Sequence, residues 1–228
     1  TYPNGTTALS DVDLEVREGE FLAVLGHNGS GKTTLVKHMN ALLQPTKGKV
    51  TVSNMDITKH SIYQIGKEIG YVFQNPDHQI FTETVFDEVS FSPRLRGVPE
   101  EEIKERVAEA LHAVELDGYE AADPFTLSKG ERQRVAVASV LSAKPRIIVL
   151  EEPTTGLDYA EQRTMMNLVR RLNEDGHTVI IITHTMWVVA EYAHRVAVVD
   201  EGKVVMYGST REVFSQDEEL VKHQLRTP

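Results

Sequence analysis

Apolar residues recur along the chain with two different periods. From residue 9 to 16 they alternate, with Val12, Leu14 and Val16 on one face and Asp11, Asp13 and Glu15 on the other. A period of two predicts a strand of an antiparallel edge sheet with one wet face. Three later runs, Phe21–Leu25, Ile147-Ile148-Val149-Leu150 and Val179-Ile180-Ile181-Ile182, are apolar on both faces. Such runs predict strands of a parallel sheet covered by helices. Between residues 99 and 116 the period lengthens: Ile103, Val107, Ala110, Leu111 and Val114 form one stripe behind Pro99 and a run of acids. That is the pattern of an amphipathic helix with proline in its first turn. Further helices are predicted over 33–43, 130–142 and 158–174. Residues 195–199 and 203–207, around Glu201-Gly202, read as a hairpin. Ser209 and Glu212 beyond it have the spacing of a capping box.

These elements predict an α/β fold in a single domain over residues 1–228. Residues 1–73 and 126–228 form its α/β core with an antiparallel β part, and 74–125 form a mainly helical insertion. The chain has 228 residues, 40% apolar and 25% charged, enough to bury one core without disulfides or metal staples. A formal charge of -10 argues against a protein that grips nucleic acid, because phosphate backbones are held by clustered Lys and Arg. No apolar stretch approaches the ~20 residues of a membrane-spanning helix. No apolar leader opens the sequence, and the absence of cysteine fits the cytoplasm. Thr1 and Tyr2 read as part of a strand running at once into a Pro-Asn-Gly turn, so the sequence is expected to be a piece of a longer polypeptide.

Candidate chemistry begins at Gly26-His27-Asn28-Gly29-Ser30-Gly31-Lys32-Thr33, which match G-x-x-x-x-G-K-[ST] between a buried strand and a predicted helix. Glycines let the backbone curl so that amides point at phosphate oxygens. The helix N-terminus adds its positive end, Lys32 neutralises β/γ charge, and the Thr33 hydroxyl is placed to ligate magnesium. In another setting the same residues would be a Gly-rich turn capping a helix; the strand and helix on either side favour the cradle. Overall acidity does not oppose an anionic ligand, since distant charges are screened over about 8 Å.

Glu151-Glu152-Pro153-Thr154 follow a buried strand, at the carboxyl end where open α/β sheets bind ligands. One carboxylate suits the magnesium shell, and its neighbour suits orienting or deprotonating an attacking water. The plainer reading is two acids opening a solvated loop.

With these residues the chain resembles the nucleotide-binding ATPase subunits of ABC transporters over nearly its whole length. The motifs stand in the family's order: the P-loop, Gln74 after a strand, Leu127-Ser128-Lys129-Gly130-Glu131 resembling LSGGQ, Glu151-Glu152-Pro153-Thr154, Gly156-Leu157-Asp158, and His184 after a strand. The resemblance implies a P-loop NTPase core with a mainly parallel sheet, an N-terminal antiparallel β subdomain and a helical insertion. It implies ATP and Mg2+ as ligands and ATP hydrolysis as the activity. Tyr2 would stack on adenine, and Gly26, His27, Asn28, Gly29, Ser30, Gly31, Lys32, Thr33 and Thr34 would contact ATP. Thr33, Gln74 and Glu151 would serve the metal, Glu152 would be the catalytic carboxylate, and His184 would hold the terminal phosphate and attacking water. Two such domains close head to tail in this family. Ser128, Lys129, Gly130 and Glu131 would then touch ATP on the other subunit, with Asp158 at the junction.

Two departures stand out. Glu151 occupies a place where the family usually has Asp, and LSKGE replaces LSGGQ. Ser128-x-x-Glu131 is itself a capping box, so the helix start is expected to survive. The opposed charges of Lys129 and Glu131 leave the sign of their effect on a partner's ATP open; the hypothesis taken from the departure is that one composite site of a heterodimer is weakened.

The stretch Tyr71-Val72-Phe73-Gln74-Asn75-Pro76-Asp77-His78-Gln79-Ile80-Phe81, with 85–89, 189–196, Gly208 and 211–214, is similar to the ATPases of energy-coupling factor importers, including cobalt and nickel types. That likeness implies an importer of a vitamin or transition-metal ion. The expected place is peripheral, on the cytoplasmic face of the membrane. Its implied partners are a second ATPase domain, alike, paralogous or fused in tandem, a transmembrane coupling protein and a substrate-binding membrane protein. Phe81 and Phe86 are candidate apolar contacts for the coupling protein. A soluble ABC ATPase of DNA repair or ribosome function would carry a long coiled coil or a basic surface. A nucleotide-binding module with little turnover would follow if Glu151 and LSKGE disable the site.

Overall fold

The computed structural model describes residues 1–227. In chain order the elements are β1 (Phe21–Leu25), α1 (Lys32–Met39), β2 (Thr51–Val52), β3 (Met55–Asp56), α2 (Ile62–Ile65), β4 (Ile69–Val72), α3 (Val85–Leu95), α4 (Glu100–Ala113) and α5 (Lys129–Leu141). They continue with β5 (Ile147–Glu151), α6 (Tyr159–Glu174), β6 (Thr178–Ile182), α7 (Met186–Tyr192), β7 (Arg195–Asp200), β8 (Lys203–Ser209), α8 (Thr210–Phe214) and α9 (Asp217–Lys222). The main sheet has the order β4-β5-β6-β1-β7-β8. Its strands run parallel up to β7, and β8 returns antiparallel to β7.

The doubly apolar runs form the centre of this sheet because both their faces are covered. Phe21, Ala23 and Leu25 point into a core shared with α3 to α7, whereas Leu22 and Val24 point into a second core with Val36, Val149 and Ile180. Alternate side chains on a strand leave opposite faces, so one buried strand feeds both cores. The register pairs Glu151 with Ile182 and Val24 with Ile182. The chain therefore leaves β1, β5 and β6 at one sheet edge, and three separate loops meet there.

The stripe predicted within 99–116 is buried as expected, and α4 starts behind Pro99 with Glu100, Glu101 and Glu102 in its first turn. Acids there complement the helix dipole. α3, α4 and α5 pack against one another in the larger core. Arg96, at the end of α3, ties this helical layer to the sheet layer by donating to Ala143 O (2.9 Å) and Gly66 O (2.7 Å).

Residues 9–16 differ from the expectation. Their alternation persists, with Val12, Leu14 and Val16 packed on the smaller core and Asp11, Asp13 and Glu15 exposed, but no strand ladder forms. Asp11 sits at φ 51, a left-handed turn that interrupts extended pairing. The segment is held by separate bonds instead: Ser10 N donates to Gly202 O at 2.8 Å, and the Tyr207 hydroxyl donates to Glu15 O. The antiparallel pair before β4 is the short β2–β3 hairpin. The helix predicted over 33–43 stops at Met39, because Ala41 turns left-handed at φ 59 and Asn40 caps the end.

Candidate active site

The loop after β1 curls tightly enough to need glycine at Gly26. At φ 151, a Cβ there would lie 2.2 Å from Val199 O. The curl brings Lys32 back over the loop, where its Nζ donates to Gly26 O (2.7 Å) and His27 O (2.8 Å). Lys32 is buried, and burial pulls its ammonium below the ordinary value, against Glu152 and Glu151, which pull it up. The fold thus keeps this cation in place among main-chain carbonyls with two acids nearby. Ser30 lies deep in the loop with a buried hydroxyl that has no protein partner. A buried polar atom of that kind is costly unless a ligand or water satisfies it. Asn28 and Gly29 are exposed along the loop, and Thr34 begins the face of α1 beyond it.

Tyr2 reaches the same helix. Its hydroxyl lies 3.1 Å from Thr34 Oγ1, and its ring lines an open cavity of about 680 Å³ with Thr34, Leu35 and His38. The Pro-Asn-Gly turn predicted behind it forms, closed by Gly5 N donating to Tyr2 O (2.9 Å).

The two acids at the end of β5 have separate surroundings. Glu151 accepts from Thr33 Oγ1 (2.8 Å) at Oε1 and from the Tyr71 hydroxyl (2.6 Å) at Oε2. The longer side chain thus still reaches the loop threonine. Burial, then the bond to Glu151, pushes the Tyr71 phenol far up, so it stays a proton donor. Nothing in the sequence marks Tyr71 as a site residue, since its partnership with Glu151 depends on β4 lying beside β5. Among the described residues no three His, Cys, Asp or Glu side chains converge to hold a metal. Thr33 and Glu151 offer two protein oxygens, which suits magnesium, an ion bound by few carboxylates together with phosphates and water. The residues present fit such an ion.

Glu152 is buried and adopts φ 46, an unusual conformation for a side-chain-bearing residue and one that costs about 1–3 kcal/mol. Its amide still donates to Ile182 O (2.7 Å), and its carboxylate accepts from Thr183 Oγ1 (3.2 Å) and His184 Nδ1 (2.7 Å). An ionised carboxylate only accepts, so Nδ1 of His184 carries a proton. Thr183, absent from the sequence-based set, fixes the second oxygen.

Not every candidate gathers here. Gln74 is exposed on the loop after β4. Its neighbours are pinned instead, as Gln79 Oε1 accepts from Phe73 N (3.2 Å) and its Nε2 donates to Ala136 O (2.9 Å). Ser128 to Glu131 open α5 with the predicted capping box. Glu131 accepts from Ser128 N (2.8 Å) and the Tyr119 hydroxyl (3.1 Å), and the Ser128 bonds hold its carboxyl below the usual range. The Lys129 ammonium lies over Gly156, 2.2 Å from where a Cβ would stand, and Gly130 faces Glu161. Asp158 caps α6 in a second capping box, with Glu161. Phe86 packs against the larger core rather than standing free, whereas Phe81 pairs edge-to-face with Phe91 at 4.9 Å and both are exposed.

Known proteins share this fold and much of this sequence. The family described as ABC transporter matches residues 9–155. A protein of Caldanaerobacter subterraneus subsp. tengcongensis named as an ABC transporter ATP-binding protein is 63% identical over 227 residues, covering 100% of this chain and 40% of its own length. The chain thus spans about two fifths of that relative. The energy-coupling factor transporter ATP-binding protein EcfA of Methanocaldococcus jannaschii is 44% identical, covering 100% of this chain and 82% of its own. Among solved structures, CbiO1 from Clostridium perfringens, part of the transporter complex CbiONQ, superposes with a TM-score of 0.88 at 36% identity, over 97% of this chain and 90% of that one. With its parallel sheet, phosphate-type loop and paired carboxylates, the chain belongs to the ABC transporter family of ATP-binding cassettes.

Proposed function

We propose that the chain is the ATP-binding and ATP-hydrolysing cassette of a membrane importer of the energy-coupling factor type. The observation that carries this reading is the meeting of Lys32, the Thr33–Glu151 pair and the Glu152–His184 pair at the carboxyl edge of β1, β5 and β6. In it, the amides of 26–34 and the N-terminus of α1 receive the phosphates, and Lys32 balances their charge. Magnesium, when bound with the nucleotide, would supply neutralisation of the phosphate charge. Thr33 and Glu151 would hold it, Gln74 would join them only from a shifted loop after β4, and Tyr71 keeps Glu151 aimed. Glu152 acts as general base toward the attacking water, while His184, its Nδ1 proton committed to Glu152, accepts from that water at Nε2 and donates from Nε2 to the terminal phosphate only when the ring carries both protons. Tyr2 takes the adenine face beside Thr34. The strain at Glu152 is consistent with a group held for chemistry rather than for packing.

A second cassette, in a homodimer, heterodimer or tandem fusion, completes each site with Ser128, Lys129, Gly130 and Glu131, and Asp158 joins the two. Because Glu131 is engaged by Ser128 and Tyr119, Lys129 is the charge left to act across that interface. Residues 74–125 form the helical unit that meets the membrane protein, and the exposed Phe81–Phe91 pair is its apolar contact. Among the described residues no helix is long and apolar enough to cross a membrane, so the membrane passage is assigned to a transmembrane coupling protein and a substrate-binding membrane protein. The place is peripheral, at the cytoplasmic face, and the cargo class is a vitamin or transition-metal ion; EcfA and CbiO1 support that branch.

The test is phosphate release from ATP by the purified protein, with and without chelation. Release falls to background with excess EDTA and returns with added magnesium. Release indifferent to chelation, or none from wild-type protein at any magnesium concentration, would contradict the proposal.

A further inference from the structure

The end of the β7–β8 hairpin packs closely on the phosphate loop. A Cβ on Gly26 would meet Val199 O at 2.2 Å, and one on Gly31 would meet Gly202 Cα at 3.3 Å. Gly202 N also donates to Ser30 O at 2.8 Å. Into this collar the hairpin projects Asp200, a carboxylate with one imidazole on each oxygen. His27 Nε2 lies 2.8 Å from Oδ1, and His223 Nδ1 lies 2.6 Å from Oδ2. His27 belongs to the loop, and His223 follows α9, lying between Leu220 of that helix and Leu225 beyond it, both buried in the larger core.

The second nitrogen of His27 makes the arrangement informative. His27 Nδ1 is 2.8 Å from Asn28 O, and a carbonyl only accepts. Both ring nitrogens therefore donate, one to a carbonyl and one to a carboxylate, which is the pattern of an imidazolium. We propose that Asp200 is a positioning residue for nucleotide binding, which holds the phosphate loop through His27 and couples it to the C-terminal helix through His223. The inference rests on the assignment of residues 26–34 as the nucleotide loop.

The charges around His27 agree. The Asn28 carbonyl, then Asp200, raise its affinity for a proton, opposed by burial and by Lys32. On the other side Asp200 is held below the usual carboxylate range by His223 and His27, and Glu219 Oε1 stands 3.6 Å from His223 Nε2. With the folded value raised above the ordinary 6.5, the clamp is complete below that value and is lost as pH rises through the folded value. A cation lost beside a phosphate site also weakens attraction for the ligand, so nucleotide affinity falls in the same direction.

The experiment is titration of the intact protein with a fluorescent ATP analogue and magnesium between pH 6 and 8.5, beside thermal unfolding. Wild-type protein should bind more weakly as pH rises. Asp200→Asn should weaken binding about tenfold at pH 6.5, the scale of a lost charge-assisted bond, and should flatten the pH profile. A merely structural role would lower the unfolding temperature and leave the profile's slope intact. Should Asp200→Asn fail to fold, His223→Gln carries the test, with a smaller loss of affinity and a shifted profile. Asp200→Asn or His223→Gln binding like wild type at every pH would overturn the inference while leaving the loop assignment standing. Binding that survives unchanged in Lys32→Ala would instead overturn the loop assignment, and this inference with it.

Discussion

Replacing Glu152 with glutamine is expected to leave ATP bound and to lower phosphate release at least about 100-fold, the scale of a general base removed. The substitution keeps the side chain's size. A glutamine carbonyl still accepts from His184 Nδ1, and the Thr183 hydroxyl can rotate to accept an amide proton, so the bonds at 2.7 and 3.2 Å have isosteric replacements. What disappears is the capacity to take a proton from water. Nucleotide then accumulates uncleaved, and a cassette dimer that ATP holds together should persist in size-exclusion chromatography. A Glu152→Gln protein releasing phosphate at the wild-type rate would remove Glu152 from the catalytic position and leave Glu151 as the acid to examine.

Lys32→Ala should fail earlier, at binding. The ammonium is buried under the loop, bonded to Gly26 O and His27 O, and faced by Glu151 and Glu152. Removing it leaves two acids beside the phosphates with no cation between, and truncating one partner of a buried charge pair costs about 2–5 kcal/mol. Affinity for ATP should therefore drop by about 30-fold or more in isothermal titration, with phosphate release lost in proportion at low ATP. Wild-type affinity in that variant would mean that the phosphates bind elsewhere.

Much of the fold and of the site is legible in the order of the residues. The doubly apolar runs mark the central strands because burial on both faces removes polar positions from a strand. The loop motif marks the loop assigned to the phosphates because few residues other than glycine allow its curl. The acids are legible from their place at a strand end. What the sequence does not carry is lateral: strand order is set by long-range packing, so the residues alone pair neither Tyr71 with Glu151 nor Thr183 with Glu152. The hairpin brace at Asp200 is hidden for the same reason, being 173 residues from His27 in sequence. Residues 9–16 mislead because an alternating pattern reports which face is buried and says nothing of whether a ladder forms. Phe86 misleads because an aromatic on a helix shows its face only when its neighbours are known; Phe91, one turn and a half further along α3, is the exposed partner of Phe81.

The most direct measurement is a crystal structure of the protein with magnesium and a non-hydrolysable ATP analogue. Phosphate oxygens are expected within hydrogen-bond distance of the main-chain amides from Gly29 to Thr33, and the Glu152 carboxylate within reach of the terminal phosphorus through one water. Phosphates seated away from that loop, or Glu152 turned from the terminal phosphate, would contradict this arrangement.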